Sequence, residues 1–251
     1  MDGQVAGARV EPGIALVTGG SRGIGLAAAR SLGLRGATVV LVGRDPERVE
    51  GASESLRGEG IDAVGVACDV SDAEAMAALP ERLGALAAVD VLVLSAGVMS
   101  LPMSKTLHTS SQEWRRVMGI NLDGAFFAVQ AFVPGMVERR HGRVIAVSAC
   151  LGRFSGPGTA GGLAPYRVSK AALNAMIKNL AAEVRAGRRG VLVDAMCPNH
   201  CRTDMGGQDA PRSADEGADT IVWLATRDVE PRPDGTIATG LLWEDRHVVP
   251  W

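Results

Sequence analysis

Tyr166 and Lys170 stand in the run Tyr-Arg-Val-Ser-Lys and carry the plainest chemical potential in this chain. Four residues apart on a helix, they share one face. A free phenol titrates near pH 10, too high for a good acid–base catalyst at neutral pH. A lysine cation beside it favours the phenolate and brings the group toward working range. The same spacing arises often by chance, so its weight depends on where it falls in the fold.

The second chemical feature is the loop Thr-Gly-Gly-Ser-Arg-Gly-Ile-Gly, residues 18–25. Glycines at 19, 23 and 25 let the backbone turn sharply and approach a pyrophosphate at a helix N-terminus. The loop follows the apolar run 14–18 and opens a helical pattern, which raises a dinucleotide reading above that of a bare tight turn. An acid at the end of the second strand would hold the adenosine ribose. Here the strand ends Leu-Val-Gly-Arg-Asp, with Gly43 in the acid's place and Arg44 next. With Arg22 in the glycine loop, two guanidiniums suit a 2′-phosphate and hence NADP(H). Two solvated arginines would look the same in sequence. Asp69, after the third strand, is either an acceptor for the adenine amino group or a helix cap.

These residues need elements to position them. Apolar runs at 14–18, 37–42, 62–69, 89–97, 142–148 and 190–198 alternate with helical patterns, and a last helix near 215–226 precedes a short strand near 236–241. One continuous helix is expected over 72–86, and one long helical region over about 111–140. Strands apolar on both faces and separated by helices imply a parallel sheet covered on both sides. The predicted fold is therefore α/β: a single-domain, doubly wound Rossmann sheet of about seven strands over 13–251, after a flexible tail at 1–12. The run 154–165, rich in glycine and proline, reads as a mobile loop at the sheet's carboxyl edge.

Length and charge narrow the classes. The chain has 251 residues, enough for one sizeable core. A net charge of −2 gives no pull toward nucleic acid or an anionic membrane. No apolar N-terminal segment marks a signal peptide, and no run approaches the roughly 18 apolar residues of a membrane span. A cytoplasmic protein is expected. Cys197 and Cys201 flank His200, but no second cluster lies near, so no metal is expected; Cys68 and Cys150 complete the thiols.

Taken together, TGGSRGIG, Cys-Asp-Val at 68–70, Ser-Ala-Gly at 95–97, GINLDG at 119–124, YRVSK at 166–170 and CPNHCRTDM at 197–205 resemble the short-chain dehydrogenase/reductase family. The similarity covers about residues 12–245 and leans toward the family's NADP-dependent carbonyl reductases. It implies Tyr166 as general acid or base, Lys170 as ribose ligand and tuner of the tyrosine, and Asn121 as holder of a relay water. It also implies cofactor contacts from Gly19, Ser21, Arg22, Gly23, Ile24, Gly25, Arg44, Asp69, Val70, Ser95, Ala96, Gly97, Tyr166, Lys170, Pro198, Asn199 and Thr203. The helices at 111–140 and 166–187 resemble those through which the family forms dimers and tetramers, so a homodimer or homotetramer is expected.

Departures from the family pattern fall around one cleft. Ser95 stands where Asn is usual, and Asn199 where Gly is usual. The family's catalytic serine lies three residues before a glycine, and counting back from Gly152 gives Ala149. Strand alternation then turns Ser148 to the other face, unless a bulge presents it instead. Asn199, or Ser155 on the glycine-rich loop, is a candidate replacement donor. Only about ten residues separate Thr203 from the helix near Ser213, a short lid that implies an open cleft. Met99, Leu101, Met103 and Phe154 are candidate apolar walls, and Ala149, Ser155 and Asn199 complete the candidate substrate site. The function expected is NADPH-dependent reduction of a ketone on a bulky, polyketide-like small molecule. Rival readings are a dehydratase, isomerase or cyclase using Tyr166, and a non-catalytic NADP-binding regulator.

Overall fold

The structure, a computed structural model, describes residues 13–101, 104–229, 233 and 235–251. The tail at 1–12 and the wall residue Met103 lie outside them. Among the described residues, eight strands form one sheet: β1 (Ile14–Thr18), β2 (Thr38–Gly43), β3 (Ala63–Ala67), β4 (Val91–Leu94), β5 (Gly142–Val147), β6 (Val191–Cys197), β7 (Leu242–Glu244) and β8 (His247–Val249). Their order is β3-β2-β1-β4-β5-β6-β7-β8. All neighbours are parallel except β7 and β8. The chain reverses its direction of growth between β1 and β4, and there the carboxyl ends open a crevice.

The α-helices of the described residues that cover the sheet are α1 (Gly23–Gly33), α2 (Pro46–Gly58), α3 (Ala73–Ala77), α4 (Leu79–Leu83), α5 (Ser111–Met118), α6 (Gly124–Arg139), α7 (Ala164–Glu183) and α8 (Ala214–Thr226). Strand alternation divides the core in two. Leu16, Leu92, Val144 and Val193 face Phe132 of α6 and Leu173 and Ile177 of α7. Val17, Val93, Ile145 and Met196 face Ala28 of α1 and Ile221 of α8. Side chains from one strand thus serve both layers, as the unbroken apolar runs require.

Three elements differ from the sequence expectation. The helix over 72–86 is cut into α3, α4 and a 3₁₀ turn, with Pro80 in the first turn of α4; proline has no N–H to continue a preceding ladder. The long helical region is interrupted by a π-turn at Gly119–Asp123. The strand near 236–241 is displaced to β7, and an antiparallel β8 follows. Thr239 Oγ1 takes the Val193 N–H at 2.8 Å, where a backbone carbonyl would serve in a ladder, and Gly240 has φ +72. Regular pairing therefore starts only at Leu242.

The run Ser111–Arg139 is also more apolar than counting unbroken apolar residues indicated. Its best 18-residue window reaches a mean hydropathy of 1.3, enough by length and composition to cross a membrane. Here Ala128, Phe132, Val133 and Met136 are buried in the core of the fold.

The middle of β6 is held by a buried polar cluster. Asp194 accepts from Trp243 Nε1 at 3.0 Å and Leu241 N at 3.1 Å, and pairs with Arg227 at 3.3 Å. The Arg227 guanidinium lies 4.8 and 4.7 Å from the rings of Trp223 and Trp243. Removing one partner of a buried pair leaves the other charge uncompensated. Asp194→Ala should lower unfolding free energy by roughly 3–5 kcal/mol, read from urea denaturation.

Candidate active site

The glycine loop is shaped by close approach. Gly19 has φ +66, and a Cβ there would meet the Ala96 backbone at 2.8 Å; one at Gly25 would meet the Gly19 carbonyl oxygen at 2.4 Å. The loop therefore tolerates no side chain where it crosses β4 and enters α1. Thr18, a residue the sequence reading gave no role, locks this crossing. Its Oγ1 accepts from Ser95 N and Ala96 N, both at 3.2 Å.

A cavity of about 720 Å³ runs from this loop across the carboxyl ends of the strands. Gly19, Ser21, Arg22, Gly23, Ile24, Gly25, Arg44, Asp69, Val70, Ser95, Ala96, Gly97, Tyr166, Lys170, Pro198, Asn199 and Thr203 all border it. At one end Arg48, unremarked in the sequence, joins Arg22 and Arg44. It lies in the first turn of α2 and thus comes back to the end of β2. Arg22 forms an ion pair with Asp204 across the cleft, so its guanidinium is already engaged. Position 43 has no room for an acid, since a Cβ there would meet Val49 Cγ2 at 2.7 Å. Asp69 accepts from Ser71 N at 2.9 Å and Ser71 Oγ at 2.7 Å through one carboxylate oxygen, as a local cap does.

At the other end α7 brings Tyr166 and Lys170 to the tips of β4 and β5. The Tyr166 N–H donates to Ser100 Oγ at 2.9 Å. Lys170 Nζ donates to the Val147 carbonyl at 2.7 Å and lies 6.0 Å from the Tyr166 ring centroid. Asn121, on the π-turn, accepts from Val98 N at 2.7 Å and donates to Val98 O and Ser169 Oγ, both at 3.0 Å. Burial pushes the Lys170 ammonium down to about 8. It pushes the Tyr166 phenol well up, helped by the nearby sulfurs of Cys197 and Cys150. This differs from the expected lowering: at this separation desolvation outweighs the pull of the ammonium. The phenol keeps its proton through neutral pH, as a proton donor must.

The two residues at the tip of β5 have different environments. Ser148 is 2% exposed, and its hydroxyl donates to Asn174 Oδ1 at 2.5 Å. Ala149 is extended, at φ −155, and its methyl offers no donor. Both border the cavity.

Among the expected walls, Met99 borders the cavity, and His200, Met205 and Leu163 join it unanticipated. Phe154, Ser155 and Leu101 are not brought there. Phe154 is 83% exposed and Leu101 59%. The chain turns at Gly152 and sends Arg153 toward Glu244, 3.5 Å away, which leaves Phe154 facing solvent. Ser155 Oγ is buried without a partner. The glycine-rich loop is fastened by Arg167, which donates to Gly162 O and Pro157 O. Among the described residues no cluster of His, Cys, Asp and Glu is arranged to hold a metal.

The short chain dehydrogenase family model matches residues 13–214. The chain belongs to the short-chain dehydrogenase family. It is thereby an oxidoreductase of a family whose solved members bind nicotinamide dinucleotides. Galactitol 2-dehydrogenase (L-tagatose-forming) of Cereibacter sphaeroides is 37% identical over 198 residues, 78% of this chain and 74% of the relative. A 3-oxoacyl-[acyl-carrier protein] reductase with bound NAD from Brucella melitensis superposes with TM-score 0.80 at 30% identity, covering 94% of this chain and 90% of that one. A variant of actinorhodin polyketide ketoreductase with NADPH superposes with TM-score 0.79 at 26% identity, covering 93% and 95%.

The commitment of Ser148 to Asn174 has a measurable consequence. Ser148→Ala should leave the Asn174 oxygen unsatisfied and cost about 1–3 kcal/mol in a denaturant melt. Steady-state kcat should stay within about twofold, because no reacting atom loses a donor. A hundredfold fall in kcat in the folded variant would instead make Ser148 the donor to substrate.

Proposed function

We propose that this protein is an NADPH-dependent ketoreductase acting on a bulky, polycyclic, polyketide-like ketone, with Tyr166 as the general acid. The observation that carries this reading is one cleft with Tyr166 and Lys170 at one end and Arg22, Arg44 and Arg48 at the other, with Asn121 buried behind the 98–100 loop. The glycine cradle and the three guanidiniums fit a dinucleotide bearing a 2′-phosphate, and the crowding at Gly43 fits the lack of a ribose-binding acid. When bound, the cofactor supplies the hydride that reaches the carbonyl carbon. Tyr166 gives its phenolic proton to the carbonyl oxygen, and Lys170 steadies the phenolate left behind. Asn121 fixes the 98–100 loop beside Tyr166 and aligns the relay that returns the proton.

In this reading Ala149 is the cleft-facing position of the usual serine, and Asn199 stands in as donor. Asn199 sits in the left-handed region at φ +60, a conformation asparagine accepts. Its Nδ2 makes no hydrogen bond among the described residues, so it is free to donate into the cavity it borders. The bulky substrate is supported by the apolar residues Met99, Leu163 and Met205 that border the cleft and by the likeness to a polyketide ketoreductase. A redox-neutral reaction through Tyr166 is the second reading, favoured by the missing hydroxyl at Ala149. Exposed Trp114, Phe126 and Val168 on α5, α6 and α7 support assembly as a homodimer or homotetramer.

The deciding experiment follows nicotinamide absorbance with a panel of polycyclic and simple ketones, using NADPH and NADH in parallel. NADPH should be preferred, Arg44→Asp should reverse that preference, and Tyr166→Phe should abolish turnover while NADPH still binds. Substrate conversion without change in the nicotinamide would establish the redox-neutral reading, and tighter NADH binding would remove the 2′-phosphate site. The pH profile gives a separate check. Lys170 is charged below about pH 8 and neutral above it, whereas Tyr166 stays protonated across that range. Reductive kcat/KM should therefore fall as pH rises through about 8, and Lys170→Met should erase that limb.

A further inference from the structure

The loop that holds Tyr166 is itself held by a charged pair on α5. Glu113 is the third residue of that helix, after the N-cap Ser110. Serine at the N-cap with glutamate three residues on is the pattern of a capping box, in which the carboxylate turns back to the serine N–H. Ser213 and Glu216 form that box at the start of α8, where the Ser213 N–H donates to Glu216 Oε2 at 2.7 Å. Glu113 N–H likewise donates to Ser110 Oγ at 3.1 Å, but the Glu113 carboxylate leaves the helix end. Its Oε1 accepts from Leu101 N at 2.7 Å. Arg116 holds both carboxylate oxygens, Nε to Oε2 at 2.7 Å and Nη2 to Oε1 at 2.9 Å, and the same Nη2 donates to Met99 O at 2.9 Å. The residues on either side of Ser100 are thus tied to one ion pair. Ser100 is buried, and its Oγ accepts the Tyr166 N–H at 2.9 Å. A second bond joins the same two segments, from Ala164 N to Ser104 O at 2.8 Å.

We propose that Glu113 and Arg116 are positioning residues for Tyr166: they fix the 99–101 segment, and through Ser100 they fix where the first turn of α7 places the phenol. The two glutamates at equivalent helix positions make the contrast. Glu216 closes its box at an exposed helix end, whereas Glu113 is 6% exposed and bonded to a loop. A buried carboxylate is costly unless it is paired and hydrogen-bonded, and here the partners are Arg116 and the Leu101 N–H. The hydrogen bond from Arg116 holds the Glu113 carboxyl below the ordinary range against its burial, with the Leu101 N–H adding to it. The pair is therefore charged at neutral pH. With Asn121 on Val98, each residue from 98 to 101 is bonded to a helical residue. Met99 also borders the cleft, so the tie that steadies Tyr166 steadies one wall of the site as well.

The effect on turnover rests on the ketoreductase reading; the tie itself does not, and it is read without substrate. Tyr166 is the only tyrosine in the chain. Tyrosine labelled with a heavy nitrogen isotope therefore gives one backbone amide signal, that of the N–H bonded to Ser100. In the full chain Glu113→Ala should speed hydrogen exchange of that amide by about 10- to 100-fold. Arg116→Met, which keeps the aliphatic stem of a partly exposed residue, should speed it less; if Glu113→Ala does not fold, this variant decides by the same signal. Glu216→Ala, the same change at the same position of α8, should leave the amide as it is. The double variant Ser100→Ala/Glu113→Ala should exchange no faster than the quicker single one, because both act on one tie. Where ketone reduction is measurable, Glu113→Ala should lower kcat by about 10- to 100-fold with the Kd for NADPH within about twofold. Glu113→Gln, whose carboxamide oxygen still accepts from Leu101 N, should recover most of that loss. Unchanged exchange in the folded single variants would overturn the proposal, as would effects of Ser100→Ala and Glu113→Ala that multiply, or faster exchange with undiminished turnover. A wild-type protein that reduces no ketone would remove the ketoreductase reading instead, and the Tyr166 amide would still decide the tie.

Discussion

Helix α7 must lie across the carboxyl ends of β4 and β5, and the candidate site depends on that one placement. The helix is anchored by bonds to three separate segments. Lys170 reaches the last carbonyl of β5, the Tyr166 N–H reaches Ser100 after β4, and Ser169 accepts from Asn121 on the π-turn. Ser148 at the tip of β5 closes the set through Asn174. Each of these polar groups is buried, so leaving any of them unpaired would cost more than its bond contributes. The satisfied network thereby holds the Tyr166 phenol in one position relative to the sheet.

Burial also governs the site's electrostatics. The expectation for a tyrosine four residues from a lysine is a softened phenol, because a cation favours the phenolate. In the folded protein both groups are removed from water, and desolvation acts on each toward its neutral form. The pair is thus a protonated phenol beside an ammonium that gives up its charge easily. That state suits donation of a proton to a developing alkoxide better than removal of one from an alcohol.

Backbone approach sets the other end of the cleft. Gly19 lies against Ala96 and Gly25 against Gly19, so β1, β4 and α1 converge closely, and the Gly19 N–H is tied to the Val42 carbonyl of β2 at 2.8 Å. Lid residues complete this end, with Asp204 reaching Arg22 from the far side and Thr203 against Gly23. The lid is itself stitched: Arg202 N–H donates to Arg212 O at 2.7 Å, and His200 Nε2 lies 2.7 Å from Gly206 O. Its shortness was legible in the spacing from Thr203 to Ser213; the Arg22–Asp204 bond that bridges the cleft was not.

By itself the sequence determined what depends on neighbours along the chain. Apolar runs separated by helical patterns specify a parallel sheet covered on both faces, the three loop glycines specify a tight strand-to-helix turn, and the Tyr166–Lys170 spacing puts both on one helical face. Only the tertiary structure decided what depends on residues meeting across the chain. Ser148 bonds to Asn174, 26 positions away, because α7 packs against β5. Arg48 returns to the cleft because α2 starts beneath the end of β2. Phe154 leaves the cleft because Arg153 is drawn toward Glu244 on β7. Local spacing encodes the direction of a side chain relative to its own element. Its partner is set by the packing of elements far apart in sequence, and that order emerges only when the two layers close on the sheet.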